Sequence, residues 1–153
     1  MGDYIKELRR VVGHKPITIP HSVVILFNEN KKVLIEVRSD DGFYDFPGGG
    51  IDQGETAEDA AKRELLEETG IIADELTLFN VYSGPITYYK YHNGDEIYGI
   101  DCVYIAKQYH GELIPQKEEV ESLIFMDIND IPEDKLSIRN KQIIKDLKEK
   151  KIC

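Results

Sequence analysis

Behind a Pro-Gly-Gly-Gly run at Pro47–Gly50, the chain places three glutamates, Glu64, Glu67 and Glu68, in one helical stretch. Advancing about 100° per residue from Ala60 sets Glu64 at about 40° and Glu68 at about 80°, among Ala57, Ala61 and Leu65. Arg63 and Glu67 fall at about 300° and 340° on the same wheel, beside that stripe. An amphipathic helix normally keeps carboxylates out of its buried stripe, and like charges three or four residues apart repel. A divalent cation among them removes the repulsion, and carboxylate oxygens suit hard Mg²⁺, with Mn²⁺ as a substitute. The small alanines let the helix approach a sheet while the glutamates line a recess. The glycines ahead of it let backbone atoms come close to a ligand. The competing reading is a solvated acidic face; the glycine run directly before the helix favours the cation.

The elements around this segment follow from periodicity and turn chemistry. Asp3 to Val12 reads as a helix with Tyr4, Ile5, Leu8 and Val11/Val12 on one side, ended by Gly13. Ile17 to Phe27 reads as a β-branched strand whose first part Pro20 confines to an edge or bulge. Asn28–Lys31 is a turn, Lys32 to Val37 the returning strand, and Ser39 to Gly50 a loop. The carboxylate-bearing helix runs from Thr56, its N-cap, to Thr69, with Gly70 beyond its end; Asp59 makes only a weak capping box. Leu76–Tyr82, Ile86–Tyr91, Ile97–Lys107 and Leu123–Met126 read as strands, and His92–Asp95 as a hairpin turn between the middle two. Ser137 to Lys150 is a terminal helix with Ile138, Ile143, Ile144 and Leu147 available for packing. The expected fold is α+β, an α/β/α sandwich with a mixed central sheet, in one domain over residues 1–153.

Composition narrows the function classes. The 153 residues carry a formal net charge of −10, spread along the chain, which excludes a broad basic face for nucleic acid. Cys102 and Cys153 form no CxxC pattern, so a disulfide scaffold or a cysteine zinc site is not expected. No apolar run reaches the ~20 residues of a membrane span, and Met1–Arg10 has no signal-peptide core. The expectation is a soluble, cytoplasmic protein.

The segment Gly49-x5-Glu55-x7-Arg63-Glu64-Leu65-x-Glu67-Glu68-x-Gly70-Ile71 resembles the Nudix box at every fixed position. Tyr44–Gly49 is similar to the aromatic-Pro-Gly-Gly approach common in the family, known also as MutT-like hydrolases. The opening Tyr4–Arg9 and Val12–His14 resemble a lead-in of some bacterial members. The resemblance implies an α/β/α sandwich and Mg²⁺-dependent hydrolysis of a nucleoside diphosphate linked to another moiety. Carried over by position, it makes Glu64, Glu67 and Glu68 metal ligands with the Gly49 carbonyl, and gives Arg63 the task of orienting a glutamate. It makes Glu55 a supporting residue, whose other reading is a favourable charge near a helix N-terminus. The general base is Glu64 or a glutamate of the later loop Gln116–Glu121, with Glu119 preferred to Glu118; the competing reading of that loop is a solvated acidic turn.

The leaving group is less constrained. Pro85 sits near a proline of some ADP-ribose hydrolases, and Tyr88 and Tyr89 near a tyrosine of some dinucleoside-polyphosphate hydrolases. Each has an ordinary structural reading, as a strand breaker or a cross-strand pair. Tyr44, Phe46, Tyr88 and Tyr89 are the candidates for stacking on a base. The substrate expected is a small nucleotide, with ADP-ribose or another nucleotide sugar ahead of a (deoxy)nucleoside triphosphate. A nucleotide sensor without turnover is the reading from another class, and RNA cap removal lacks its basic surface. His14 and His21 receive no catalytic role, and the C-terminal lysines read as a solvated helix end. Dimers are common among such proteins, so the resemblance extends to a homodimer through the N-terminal helix and first strand.

Overall fold

A computed structural model describes residues 3–116 and 118–152; Lys117, in the acidic loop singled out above, and Cys153 lie outside the described residues. In chain order the elements are α1 (Asp3–Val12), β1 (Ile17–Leu26), β2 (Val33–Arg38), β3 (Tyr44–Asp45), β4 (Gly48–Gly50) and α2 (Ala57–Thr69), then β5 (Ile71–Tyr82), β6 (Tyr88–Lys90), β7 (Glu96–Gly111), β8 (Val120–Met126) and α3 (Ile138–Glu149). One sheet has the order β4-β1-β7-β5, with β6 also paired to β7. The other has the order β3-β2-β8. The α+β character expected from the sequence is present, with a mixed sheet: β1 and β7 are parallel, in register from Ile17↔Ile97 to Leu26↔Ala106, and the other pairings are antiparallel.

Alternation along β1 and β2 builds two cores. Val23 and Ile25 of β1, with Val33 and Ile35 of β2, face α3 and meet Ile143, Ile144 and Leu147. Val24, Leu26 and Leu34 face the other way and meet Ala61 and Leu65 of α2. Both faces of β1 are thus covered, which explains its nearly continuous apolar run. Burying Leu65 completely contributes about 1.5–3 kcal/mol, and pins the face of α2 that also carries Glu64 and Glu68.

Several local expectations are corrected. Pro20 is the exception and stands where expected: β4 pairs only with His21–Val23, so at Pro20 the strand has β7 on one side and a local edge on the other, where its carbonyl accepts from Ile51 N–H and no donor is required. β2 does not return beside β1: apart from a single bridge at Phe27↔Val33, it pairs with β3 and β8 in the second sheet. The Ser39–Gly50 loop contains β3 and β4. Pro85 opens a 3₁₀ turn, Gly84–Thr87, which shortens the strand expected over Ile86–Tyr91 to β6. Ile138 is 67% exposed and lies outside the α3 packing face. Among the described residues no helix is long and apolar enough to cross a membrane.

Candidate active site

α2 is capped at both ends by its own sequence. Thr56 Oγ1 accepts from Asp59 N–H at 3.0 Å, the half of the capping box that Asp59 permits. Gly70, at φ 78°, donates its N–H to Leu66 O, closing the helix in the left-handed conformation that glycine adopts without strain. The next carbonyls are taken by the chain that follows β7. Ile114 N–H donates to Thr69 O at 2.8 Å and Gln116 N–H to Glu68 O at 3.2 Å. Ser39 N–H donates to Glu119 O at 3.1 Å. The first two bonds tie the loop carrying Glu118 and Glu119 to the end of α2, and the third ties it to the end of β2.

On α2 the mixed stripe read from the helical wheel is buried: Ala60, Ala61, Glu64, Leu65 and Glu68 face inward. Arg63 gathers the surrounding acids. Its Nε and Nη2 donate to the two oxygens of Glu55 at 2.7 and 2.9 Å, a planar fork that only a guanidinium can make. Its Nη1 donates to Glu64 Oε1 at 2.9 Å and Glu67 Oε2 at 3.3 Å, and its Nη2 to Gly50 O at 3.0 Å. The Arg63 hydrogen bond holds the Glu55 carboxyl below its ordinary range.

Facing this helix is a residue that sequence reasoning passed over. Glu36 lies on the same side of β2 as Leu34 and is 6% exposed. Its carboxyl meets that of Glu68, with Glu64 and Glu119 close by. Burial, added to the neighbouring negative charges, pushes both Glu36 and Glu68 well above the ordinary carboxylate range. Glu36 Oε1 is buried without a hydrogen-bond partner. A lone acid inside the apolar run Val33–Val37 was the available signal. Gly49 completes the recess: a Cβ there would stand 2.5 Å from the Glu64 carboxylate, so no side chain fits. Buried carboxyls that lack a counter-charge, an orphan oxygen and a backbone approach kept open by glycine together fit a hard divalent cation. Among the described residues no three acidic or imidazole side chains already converge as a finished cage. Glu67, 53% exposed, is turned to Arg63.

Two clefts adjoin here. The acidic one is lined by Glu36, Glu64, Glu68, Glu118 and Glu119. The second is lined by Tyr44, Tyr88, Tyr89 and Tyr91 with Phe43 and Ile138. They share His21, Arg38, Asp45, Phe46, Gly48, Gly49 and Tyr91, so one ligand could span both. Arg38 is the shared lysine or arginine; it sits over the Tyr89 ring at 5.7 Å and forks onto Asp40 at 3.0 and 2.7 Å. Behind the aromatic cleft, Asp101 is bonded to His21 Nδ1 at 3.0 Å and accepts from Arg139 Nη1 at 3.1 Å. Arg139 also donates to Asp45 at 2.9 Å, and Asn140 Nδ2 donates to the same Asp45 oxygen at 2.8 Å.

The structure therefore brings Glu55, Arg63, Glu64, Glu67, Glu68 and Gly49 together, and the loop of Glu119 beside them. Tyr44, Tyr88 and Tyr89 share the adjoining cleft. Phe46 lines both clefts, but it is 3% exposed and packed into the core on the α3 side, so it presents little of its ring to a ligand. His21, Arg38, Asp45, Asp101, Arg139 and Asn140 join the site from four different strands and a helix, and no short-range pattern announced them.

The NUDIX domain model matches residues 18–147. A putative 8-oxo-dGTP diphosphatase of Bacillus subtilis (strain 168) is 47% identical over 62 residues, 40% of this chain and 42% of that one. An ADP-ribose pyrophosphatase of Methanocaldococcus jannaschii is 35% identical over 124 residues, 80% of this chain and 68% of that one. The aligned part thus spans under half of the first relative and about two thirds of the second. The crystal structure of a MutT NUDIX hydrolase from Burkholderia pseudomallei superposes with a TM-score of 0.71 at 23% identity, covering 86% of this chain and 98% of that one. With the family model matched from β1 to α3 and the sandwich shared, this chain belongs to the NUDIX domain family.

Proposed function

We propose that this protein is a Mg²⁺-dependent hydrolase of the pyrophosphate bond in a small nucleotide, with ADP-ribose or another nucleoside diphosphate sugar as the preferred substrate class. The observation that carries this reading is the continuity of the two clefts. An acidic recess suited to a cation opens into an aromatic one suited to a base, with Arg38 between them, where phosphates of a spanning ligand would lie. The alignment with an ADP-ribose pyrophosphatase along most of the chain supports the sugar-linked substrate over a triphosphate.

Glu64 and Glu68, with Glu36 and the Gly49 carbonyl, are the groups that would hold the cation, and Glu67 would join on turning from Arg63. A bound divalent ion supplies neutralisation of phosphate charge, polarisation of phosphorus and a lowered pKa for water. The remaining work falls to the chain. Arg63, fixed by its fork to Glu55, holds Glu64 in one orientation. Arg38 offers charge to the phosphate oxygens. Glu119, whose carboxylate has no hydrogen-bond partner among the described residues, is the better placed group to take a proton from attacking water; Glu64, one oxygen of which is engaged by Arg63, is the other candidate. The tyrosines hold the base and exclude water from that end.

The test is a panel of ADP-ribose, other nucleoside diphosphate sugars, (deoxy)nucleoside triphosphates and dinucleoside polyphosphates, assayed with Mg²⁺ and with Mn²⁺. Metal-dependent turnover led by ADP-ribose is expected. A lead by triphosphates would move the substrate class, and tight nucleotide binding without turnover would replace the enzyme by a sensor. Glu64→Gln against Glu119→Gln at saturating Mg²⁺ separates the two base candidates.

A further inference from the structure

The tyrosine wall of the aromatic cleft stands on a slight support. β6 has three residues, each paired with β7 at Tyr88↔Tyr98, Tyr89↔Ile97 and Lys90↔Glu96. The turn beyond it is closed by Tyr91 N–H to Asp95 O at 2.8 Å and Gly94 N–H to Tyr91 O at 3.0 Å. A hairpin this short is marginal by itself in water.

The end of α1 lies against that turn. Arg9 Nη2 donates to Glu96 O at 2.8 Å, and its Nη1 donates to Gly13 O at 3.0 Å and Lys15 O at 2.6 Å. Its Nε stands 3.6 Å from Asp95 Oδ2, and His14 Nδ1 is 2.7 Å from the other oxygen of Asp95. The Arg9 side chain is only 12% exposed, on a helix that, among the described residues, contributes none to either core and leaves Val11 84% exposed. One guanidinium thus joins the end of α1, the approach to β1 and the hairpin. The chain of contacts continues into the cleft: the carboxylate of Glu96, whose carbonyl Arg9 holds, accepts the Tyr88 hydroxyl, and Tyr88 leans on Tyr98 with ring centroids 5.3 Å apart.

We propose that Arg9 is a positioning residue for substrate binding, which from outside both clefts locks the Tyr88–Tyr91 hairpin where it walls the nucleoside end. This rests on the aromatic cleft being the nucleoside site. A locked wall needs no ordering when the nucleotide arrives, whereas a loose one must be ordered by binding itself. The groups around Glu64 are not touched, so the effect belongs in KM and not in kcat.

The test uses the full chain carrying Arg9→Met, with ADP-ribose and ATP as probes at saturating Mg²⁺. KM for the nucleotide turned over should rise about fivefold or more, with kcat within about twofold of wild type. Amide hydrogen exchange should accelerate at residues 88–96 and stay unchanged in β1 and in Asp101–Ala106 of β7. Arg9→Lys keeps the charge and the stem but cannot reach three carbonyls at once, so its KM should fall between the two; it also serves if Arg9→Met does not fold. An unchanged KM, a loss confined to kcat, or exchange that accelerates equally through β1 and β7 would overturn the proposal. If the wild-type protein turns over neither probe, the nucleotide of the panel above that it does turn over replaces them; if it turns over none, the functional reading fails instead, and the exchange measurement alone decides whether Arg9 locks the hairpin.

Discussion

Replacing Arg63 by lysine tests whether the site depends on a fork or only on a positive charge. Arg63 makes five hydrogen bonds, two to Glu55 and one each to Glu64, Glu67 and Gly50 O. A lysine ammonium is a single point of donation and cannot reach Glu55, Glu64 and Gly50 together. Charge-assisted bonds are worth about 1.5–3 kcal/mol each when shielded, but this side chain is 29% exposed, and screening brings the net loss to about 1–2 kcal/mol. For a domain of this size that lowers Tm by about 2–8 °C, too little to unfold the protein at 25 °C. Activity should suffer more, because Glu64 loses the partner that orients it; removal of such a partner typically lowers metal affinity or turnover about 10–100-fold. The assay is initial-rate phosphate release across a Mg²⁺ titration, beside a thermal melt of the same sample. Glu55→Gln, which breaks the same fork from its other end, should give a similar loss, and the double variant should lose less than the sum. An Arg63→Lys protein with wild-type kcat and wild-type Mg²⁺ dependence would refute the reasoning.

Glu68→Gln should abolish Mg²⁺-dependent phosphate release while the metal-free protein melts no lower than wild type, because burial already favours the uncharged carboxyl that glutamine mimics; circular dichroism and a rate assay check both halves. Gly49→Ala should lower turnover by about tenfold or more, since its Cβ would fall 2.5 Å from the Glu64 carboxylate; unchanged kinetics would mean that the recess is not used. Burial raises the pKa of Asp101, but the His21 hydrogen bond and the charge of Arg139 outweigh it and hold this carboxyl below its ordinary 3.8. A depressed carboxyl stabilises the fold above its unfolded value, and that stability is lost as pH falls through the folded one. Acidification below 3.8 should therefore destabilise the wild type more steeply than Asp101→Asn, as read by urea midpoints across pH.

The parts of the site that share one helix were legible in the sequence. The wheel that mixed Glu64 and Glu68 with Ala60, Ala61 and Leu65 describes the buried face of α2, because helical geometry makes neighbours three and four residues apart touch. Thr56 and Gly70 marked its ends for the same local reason. What lay beyond local reach came from pairing. β2 reads as the return arm of a hairpin, and only its register with β3 and β8 shows that it crosses to the other sheet. That crossing is what turns Glu36 toward Glu68. His21 and Asp101 likewise meet through the parallel ladder of β1 and β7, a contact that no spacing in the sequence encodes. Pro20, by contrast, was a sound local signal, because it marks the part of β1 that β4 leaves uncovered.

The parallel pairing of β1 with β7 also has a kinetic consequence. His21 and Asp101 are separated by 80 residues, and every rung of that ladder closes a similar loop. Ladders between distant segments form slowly, because the chain entropy of closure is lost before the contacts repay it. While a ribosome extends the chain, the apolar β1 must wait for its partner, a span in which it is open to wrong association. The aromatic cleft lacks its tyrosine wall until that closure occurs, because the hairpin that carries it hangs from the start of β7. Ligand affinity should therefore return in step with the last and slowest phase of refolding, after the helices have regained their circular dichroism.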